Sequence, residues 1–228
     1  MSMLPWFTVQ RWLTASVLGL FLAPQVQAQA NPNAYFRAIV QNNESGVIAY
    51  ALQEHDLNVR NDKNEHPLHM ALRLDSLQVV NFLLDLNAVD VNAKNAHDET
   101  PLMIAALKGQ LHQAQRLIAR GAEVNKPGWA PLHYAASNAD DNLAMVRLLL
   151  EHHAYIDAES PNGTTPLMMA ARYSTPALVQ FLIDEGADPS VKNEQGLTAQ
   201  DFAQQAGRHA LASKLAALVS AASAPSSQ

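Results

Sequence analysis

Five short stretches of the chain nearly copy one another: HPLHMAL at residues 66–72, TPLMIAA at 100–106, APLHYAA at 130–136, TPLMMAA at 165–171 and TAQDFAQ at 198–204. With Pro67, Pro101, Pro131, Pro166 and Ala199 as equivalent positions, the spacings are 34, 30, 35 and 33 residues. Each copy runs on into a second apolar stretch, such as LQVVNFLLDL or ALVQFLIDEGAD. A period of this length constrains the fold more than any other property of the chain. A unit of about thirty residues cannot bury its apolar face alone and must stack on its neighbours.

The residues specify what each unit contains. Thr100, Thr165 and Thr198 stand where an N-cap hydroxyl can accept a backbone N–H, and the proline after the first two takes the first helical position, where a missing N–H costs nothing. His69, His133 and Asp201 stand third after the cap, where a side chain can reach back to it. The alanine pairs 105–106, 135–136 and 170–171 allow close helix approach, and the Leu, Val and Phe positions of the second stretch form an apolar stripe. Neither helix is long enough to persist alone. Three residues before each equivalent position the chain has Gly128, Gly163 or Gly196, or the next most tolerant types, Asn64 and Asp98. A residue accepting positive φ is therefore expected at the turn of every unit.

This pattern resembles the ankyrin repeat, whose period of 33 residues and T-P-L-H-x-A signature it follows across residues 33–218. The resemblance implies an all-α dominated solenoid of stacked helix-turn-helix units with short β-hairpin fingers. Residues 33–60 lack the proline motif but keep the two-helix spacing, and the last unit carries Gln200, Gln204 and Gln205 at formerly apolar positions, as a solvated outer face requires. Six units including both caps are expected. The repeat domain is placed at residues 31–218, with residues 219–228 as a disordered small-residue tail.

Residues 1–30 have a different grammar: one basic residue, Arg11, an apolar run over 13–23 and then small residues. That is a signal peptide, and the run is too short to span a bilayer. Cleavage is expected after Ala28 or Ala30, delivering the mature chain to the bacterial periplasm without membrane insertion. An uncleaved anchor is the alternative. The chain has no cysteine, so neither disulfide nor thiol chemistry contributes. Without residues 1–30 it carries 14 basic and 21 acidic residues, a net charge of −7. That balance argues against nucleic acid and anionic lipid as partners.

No Gly-rich phosphate loop, HExxH, paired-carboxylate pattern or nucleophile elbow is present, so neither an enzyme nor a cofactor is expected. His69 and His133 are signature positions suited to hydrogen bonding within the repeat. His66 and His69 form an i, i+3 pair able to ligate a metal, the weaker reading. Met168 and Met169 read as core, with an oxidant sink as the alternative.

Function is then sought where the repeat is broken. Fingers and the exposed side of the first helices are expected to contact a protein partner of unknown identity through Lys63, Arg73, His97, Lys108, Trp129, Tyr134, Asn138, Asn162, Arg172 and Tyr173. Aromatics with arginine are typical interface anchors. The expected protein is a monomeric binding module. Its resemblance to small exported bacterial ankyrin proteins suggests protection from oxidative stress, and an immunity protein for a toxic effector is the alternative.

The fourth unit departs most. In EVNKPGWAPLHY, Asn125 lies six residues before Pro131, whereas Asn92 and Asp157 lie nine before theirs. A truncated finger is expected, with Pro127 and Gly128 in a tight turn and Trp129 either filling the vacated space or packing on neighbouring fingers. Ala130 at the cap position should weaken the unit locally.

Overall fold

The computed structural model describes residues 31–140 and 142–223; the expected leader lies outside them. They form six helix pairs: α1 (Pro32–Val40) with α2 (Glu44–Ala51), α3 (Pro67–Arg73) with α4 (Leu77–Asp85), α5 (Pro101–Lys108) with α6 (Leu111–Ala119), α7 (Pro131–Ala136) with α8 (Leu143–Glu151), α9 (Pro166–Tyr173) with α10 (Pro176–Asp184), and α11 (Ala199–Gln205) with α12 (His209–Ser223). The first helices pack on one another in chain order from α1 to α11, and α2, α4, α6 and α8 form a second row. Six stacked units agree with the period read from the sequence.

The first helices of units two to five each bury the leucine after the proline, Leu68, Leu102, Leu132 or Leu167. The alanine pairs of α5, α7 and α9 are 0% exposed. With nothing beyond Cβ at these contacts, the first row closes up more tightly than the second, whose contacts are made by Val79, Leu83, Leu117, Val146 and Leu149. The stack therefore curves with the first helices on its inner face.

The caps work largely as expected. Thr100, Thr165 and Thr198 accept the amides of Met103, Met168 and Asp201. At Met103 and Met168 the sulfur takes the reciprocal role, accepting the cap amide at 3.3 and 3.4 Å. Ala130 has no cap bond, but His133 Nδ1 still accepts the Ala130 amide at 3.1 Å.

The fingers differ from expectation: among the described residues none forms a β-strand. Asn61 Oδ1 accepts the amides of both Lys63 and Glu65, and Asn95 and Asn193 repeat this arrangement. A side chain thus takes amides that a longer hairpin would pair across a ladder. Two backbone bonds close each full finger, as from Asn95 N to Glu99 O at 3.0 Å and from Asp98 N to Asn95 O at 3.1 Å. The turn residues take positive φ as expected: Asn64 60°, Asp98 60°, Gly128 77°, Gly163 74° and Gly196 75°.

A second correction concerns the C-terminal boundary. Helix α12 runs to Ser223, so residues 219–223, expected to belong to a disordered tail, are helical. The sequence ALVSAAS is rich in alanine, the strongest helix former, and continues a helix already docked by Leu211 and Leu215. Residues 224–228 lie outside the described residues.

Candidate functional site on the inner face

The inner face of the stack is lined by the first helices and overhung by the fingers, and two hollows lie on it. The apolar one, about 250 Å³, is walled by Leu107 of α5, His133, Tyr134 and Ser137 of α7, Met169 of α9 and Trp129 of the shortened finger. The polar one, about 120 Å³, lies towards the N-terminus, between Glu65, His69 and Arg73 on one side and Asn95 and His97 on the other, with Lys63 at its edge.

The missing finger residues create the apolar hollow. Asn125 donates to His153 O at 2.7 Å and accepts from Tyr155 N at 2.9 Å, the role that Asn92 plays with Gly121 and Glu123. The truncation has therefore removed the residue corresponding to Asn95, and with it the closed turn. The chain bends over 127–129 without a hydrogen-bonded turn, which corrects the expected tight one. Lys126 fills part of the vacated space: its side chain is 4% exposed, contacts Asp98, and donates to Pro127 O at 3.3 Å and Trp129 O at 3.4 Å. Trp129 is half-buried, with its ring edge-on to His133 at 5.3 Å between centroids.

The histidine, tyrosine and serine side chains of the apolar hollow are already engaged. His133 Nε2 donates to Thr164 O at 2.9 Å while Nδ1 accepts from Ala130, a pattern that fixes the neutral tautomer. Burial lowers its pKa. Ser137 donates to Tyr134 O, and the Tyr134 hydroxyl donates to Glu99 Oε1 at 2.8 Å. Burial and then that carboxylate raise the Tyr134 pKa. Glu99 Oε2 in turn accepts from Asn95, so a wall of Tyr134, Glu99 and Asn95 separates the two hollows.

In the polar hollow the carboxylate of Glu65 is engaged by Arg73 and by Asn61. Lys63 and His97 are exposed and make no ion pair among the described residues. His69 donates through Nε2 to Glu99 O at 2.8 Å; its buried Nδ1 has no partner. His66 caps α3 at the position that threonine holds in other units, accepting from Leu68 through Nδ1 while Nε2 meets Asn58 Oδ1 at 3.1 Å. Burial, and then His69, lower its pKa to about 4. Both ring nitrogens of His66 are thus engaged within the fold, which removes it as a metal ligand.

Of the ten residues expected at the interface, the structure gathers Trp129 and Tyr134 into the apolar hollow and Lys63, Arg73 and His97 into the polar one. Lys108 pairs with Asp75 at 2.6 Å outside both. Two others have structural work. Asn138 donates to Leu107 O at 2.8 Å in the last turn of α5, and Asn162 accepts Glu194 N on its carbonyl, joining two fingers. Arg172 lies 5.4 Å over the ring of its neighbour Tyr173, which is 48% exposed. Sequence reading missed the place of Met169 in the wall of the apolar hollow, and the pairing of Glu65 with Arg73 and of Glu99 with Asn95 and Tyr134. Met168 is the core member of its pair.

The family described as Ankyrin repeats (3 copies) matches residues 35–127, 86–160, 102–193 and 132–222. The chain belongs to the ankyrin repeat family. It is similar to a putative ankyrin repeat-containing protein of Treponema pallidum (strain Nichols), 32% identical over 131 residues, which covers 57% of this chain and 44% of that one. It is also similar to the nuclear factor NF-kappa-B p105 subunit of Gallus gallus, 29% identical and covering 81% of this chain but 20% of that protein. The ankyrin chain thus spans less than half the length of these relatives. Among solved structures it is similar to a chain in the complex of the Bd0816 predatory endopeptidase from Bdellovibrio bacteriovorus with immunity protein Bd3460. The TM-score is 0.68 and the identity 31%, over 79% of this chain and 97% of that one. Ankyrin repeats are protein-interaction modules, and no helix of the described residues is long and apolar enough to cross a membrane.

Proposed function

We propose that the chain is a non-enzymatic binding module, delivered by its leader to the bacterial periplasm, that holds a protein partner against its inner face. The observation that carries this is the apolar hollow, where the most individual unit of the stack brings Trp129 and Tyr134 together and its histidine, tyrosine and serine are bonded within the fold. Such a surface gains by excluding water and offers no reactive group. The test is alanine substitution of Tyr134, Arg172 and Tyr173, each checked for folding, with capture of the partner from the exported fraction. Loss of capture is expected, and undiminished capture by folded variants refutes the assignment. Export is tested by N-terminal sequencing of the secreted chain, expected to begin at Gln29 or Asn31.

A second reading, that the partner is an effector whose activity this chain blocks, is favoured by the similarity to a chain of the endopeptidase–immunity complex. It requires the captured partner to lose activity in a stoichiometric complex. A partner fully active when bound refutes it. Peroxide protection rests on the resemblance to exported ankyrin proteins alone.

A further inference from the structure

We infer that the partner docks with an acidic side chain in the polar hollow and an apolar one, about three residues along an extended segment, in the apolar hollow. This rests on the inner-face reading above and names the chemistry that the face selects.

The polar hollow has donors to give. The two Glu65 oxygens are engaged by Arg73 and Asn61, and Asn95 Oδ1 is engaged by the amides of His97 and Glu99. The Lys63 ammonium and the His97 ring, at neighbouring finger tips, make no ion pair among the described residues, and Arg73 uses one guanidinium nitrogen on Glu65. His69 repeats the Nε2 bond of His133, and its Nδ1 is buried. A carboxylate is the group that complements such a set.

The apolar hollow has little polar to give. Its histidine, serine and tyrosine are bonded inward and cannot replace the hydration of a polar occupant, whereas Leu107, Met169 and the ring of Trp129 offer contact to a leucine- or phenylalanine-like side chain. The wall of Tyr134, Glu99 and Asn95 makes the hollows neighbours across one repeat. Adjacent helices lie about 8–10 Å apart. An extended chain covers that distance in about three residues at roughly 3.3 Å each.

The test is selection of a displayed library of twelve-residue peptides on the full chain, followed by titration of an enriched peptide against variants. Enrichment of Asp or Glu three positions from Phe, Leu, Met or Trp is expected. Lys63→Glu and Leu107→Glu, both at exposed positions, should each weaken the enriched peptide at least tenfold, while Tyr155→Ala, in the loop after α8, should leave it unchanged. A selection without the acid–apolar pair overturns the inference. Peptides weakened by Leu107→Glu but indifferent to Lys63→Glu also overturn it and leave the inner-face reading standing. Peptides indifferent to both and lost in Tyr155→Ala overturn the two together.

Discussion

The ammonium of Lys126 lies against the carboxylate of Asp98, joining the shortened finger to the tip of the one before it. Asp98 also receives Lys94 at 3.0 Å, and these two lysines hold its carboxyl below the usual range, Lys126 first. Because the Lys126 stem is buried while the Asp98 head is exposed, the lysine acts mainly as an internal strut whose other bonds go to the carbonyls of Pro127 and Trp129.

Lys126→Met keeps the stem and removes the charge, leaving those two carbonyls without their donor. Loss of about 1–3 kcal/mol is expected, the cost of leaving the partly buried Trp129 carbonyl unsatisfied. Urea unfolding followed by circular dichroism measures it. A loss within experimental error of zero would show that water replaces the ammonium and that Trp129 is held by His133 alone.

Ala130→Thr should stabilise the chain by at most about 1 kcal/mol. The structure sets the upper bound: His133 N already donates to Ala130 O at 3.0 Å and His133 Nδ1 already takes the Ala130 amide, so the new hydroxyl would improve bonds rather than create one from nothing. Thr100 and Thr165 are equally buried at their sites, which shows that the side chain fits. The same unfolding assay decides, and a decrease would mean that Trp129 crowds the cap.

What was legible in the sequence was whatever repeats. The period gave the stack, the threonines and prolines gave the starts of the first helices, and the residues three before the prolines gave the positive-φ turns. The missing residues before Pro131 correctly marked a broken finger. What stayed hidden were pairings between units: Lys126 with Asp98 across 28 positions and Tyr134 with Glu99 across 35. Periodicity says which positions face inward, not which polar side chain meets which. Met169, read as core, does pack against it but also lines the hollow, a second role that periodicity does not show. The hairpin strands failed because Asn61, Asn95 and Asn193 bond their own turns, a signal that was present in the repeated asparagine but competes with strand pairing.

Stability should fall as the pH drops from about 6.5 towards 4. Burial lowers the pKa of His66 from 6.5 to about 4, and those of His69 and His133 also fall. In that window the unfolded chain binds more protons than the folded one, so the stabilisation present above 6.5 is lost on acidification. His66→Thr restores the cap type found in the other units and should flatten the profile while retaining the N-cap bond. Thermal unfolding from pH 7.5 to 4.5 measures both. A wild-type profile already flat over that range would contradict the neutral buried rings.

Asp157 carries the opposite sign and explains a flaw in a ladder. Asn58 accepts Asp90 N and donates to Ala88 O; Asn92 does so with Glu123 and Gly121, and Asn125 with Tyr155 and His153. Each asparagine thus spans an amide and the carbonyl two residues before it. Asp157 accepts Asp188 N at 3.2 Å, but an ionised carboxylate has nothing to donate to the corresponding Gly186 carbonyl. Burial, and then Asp188, raise the Asp157 pKa, so its contribution is favourable while it is protonated and is lost as the pH rises from its ordinary 3.8 through the raised value. Asp157→Asn supplies the missing donor at every pH. It should stabilise the chain by roughly 1 kcal/mol at pH 7, and the gain should shrink towards pH 4, where the aspartic acid can itself donate. Equal gains at both pH values would mean that the substitution relieves repulsion from Asp188 instead of completing the ladder.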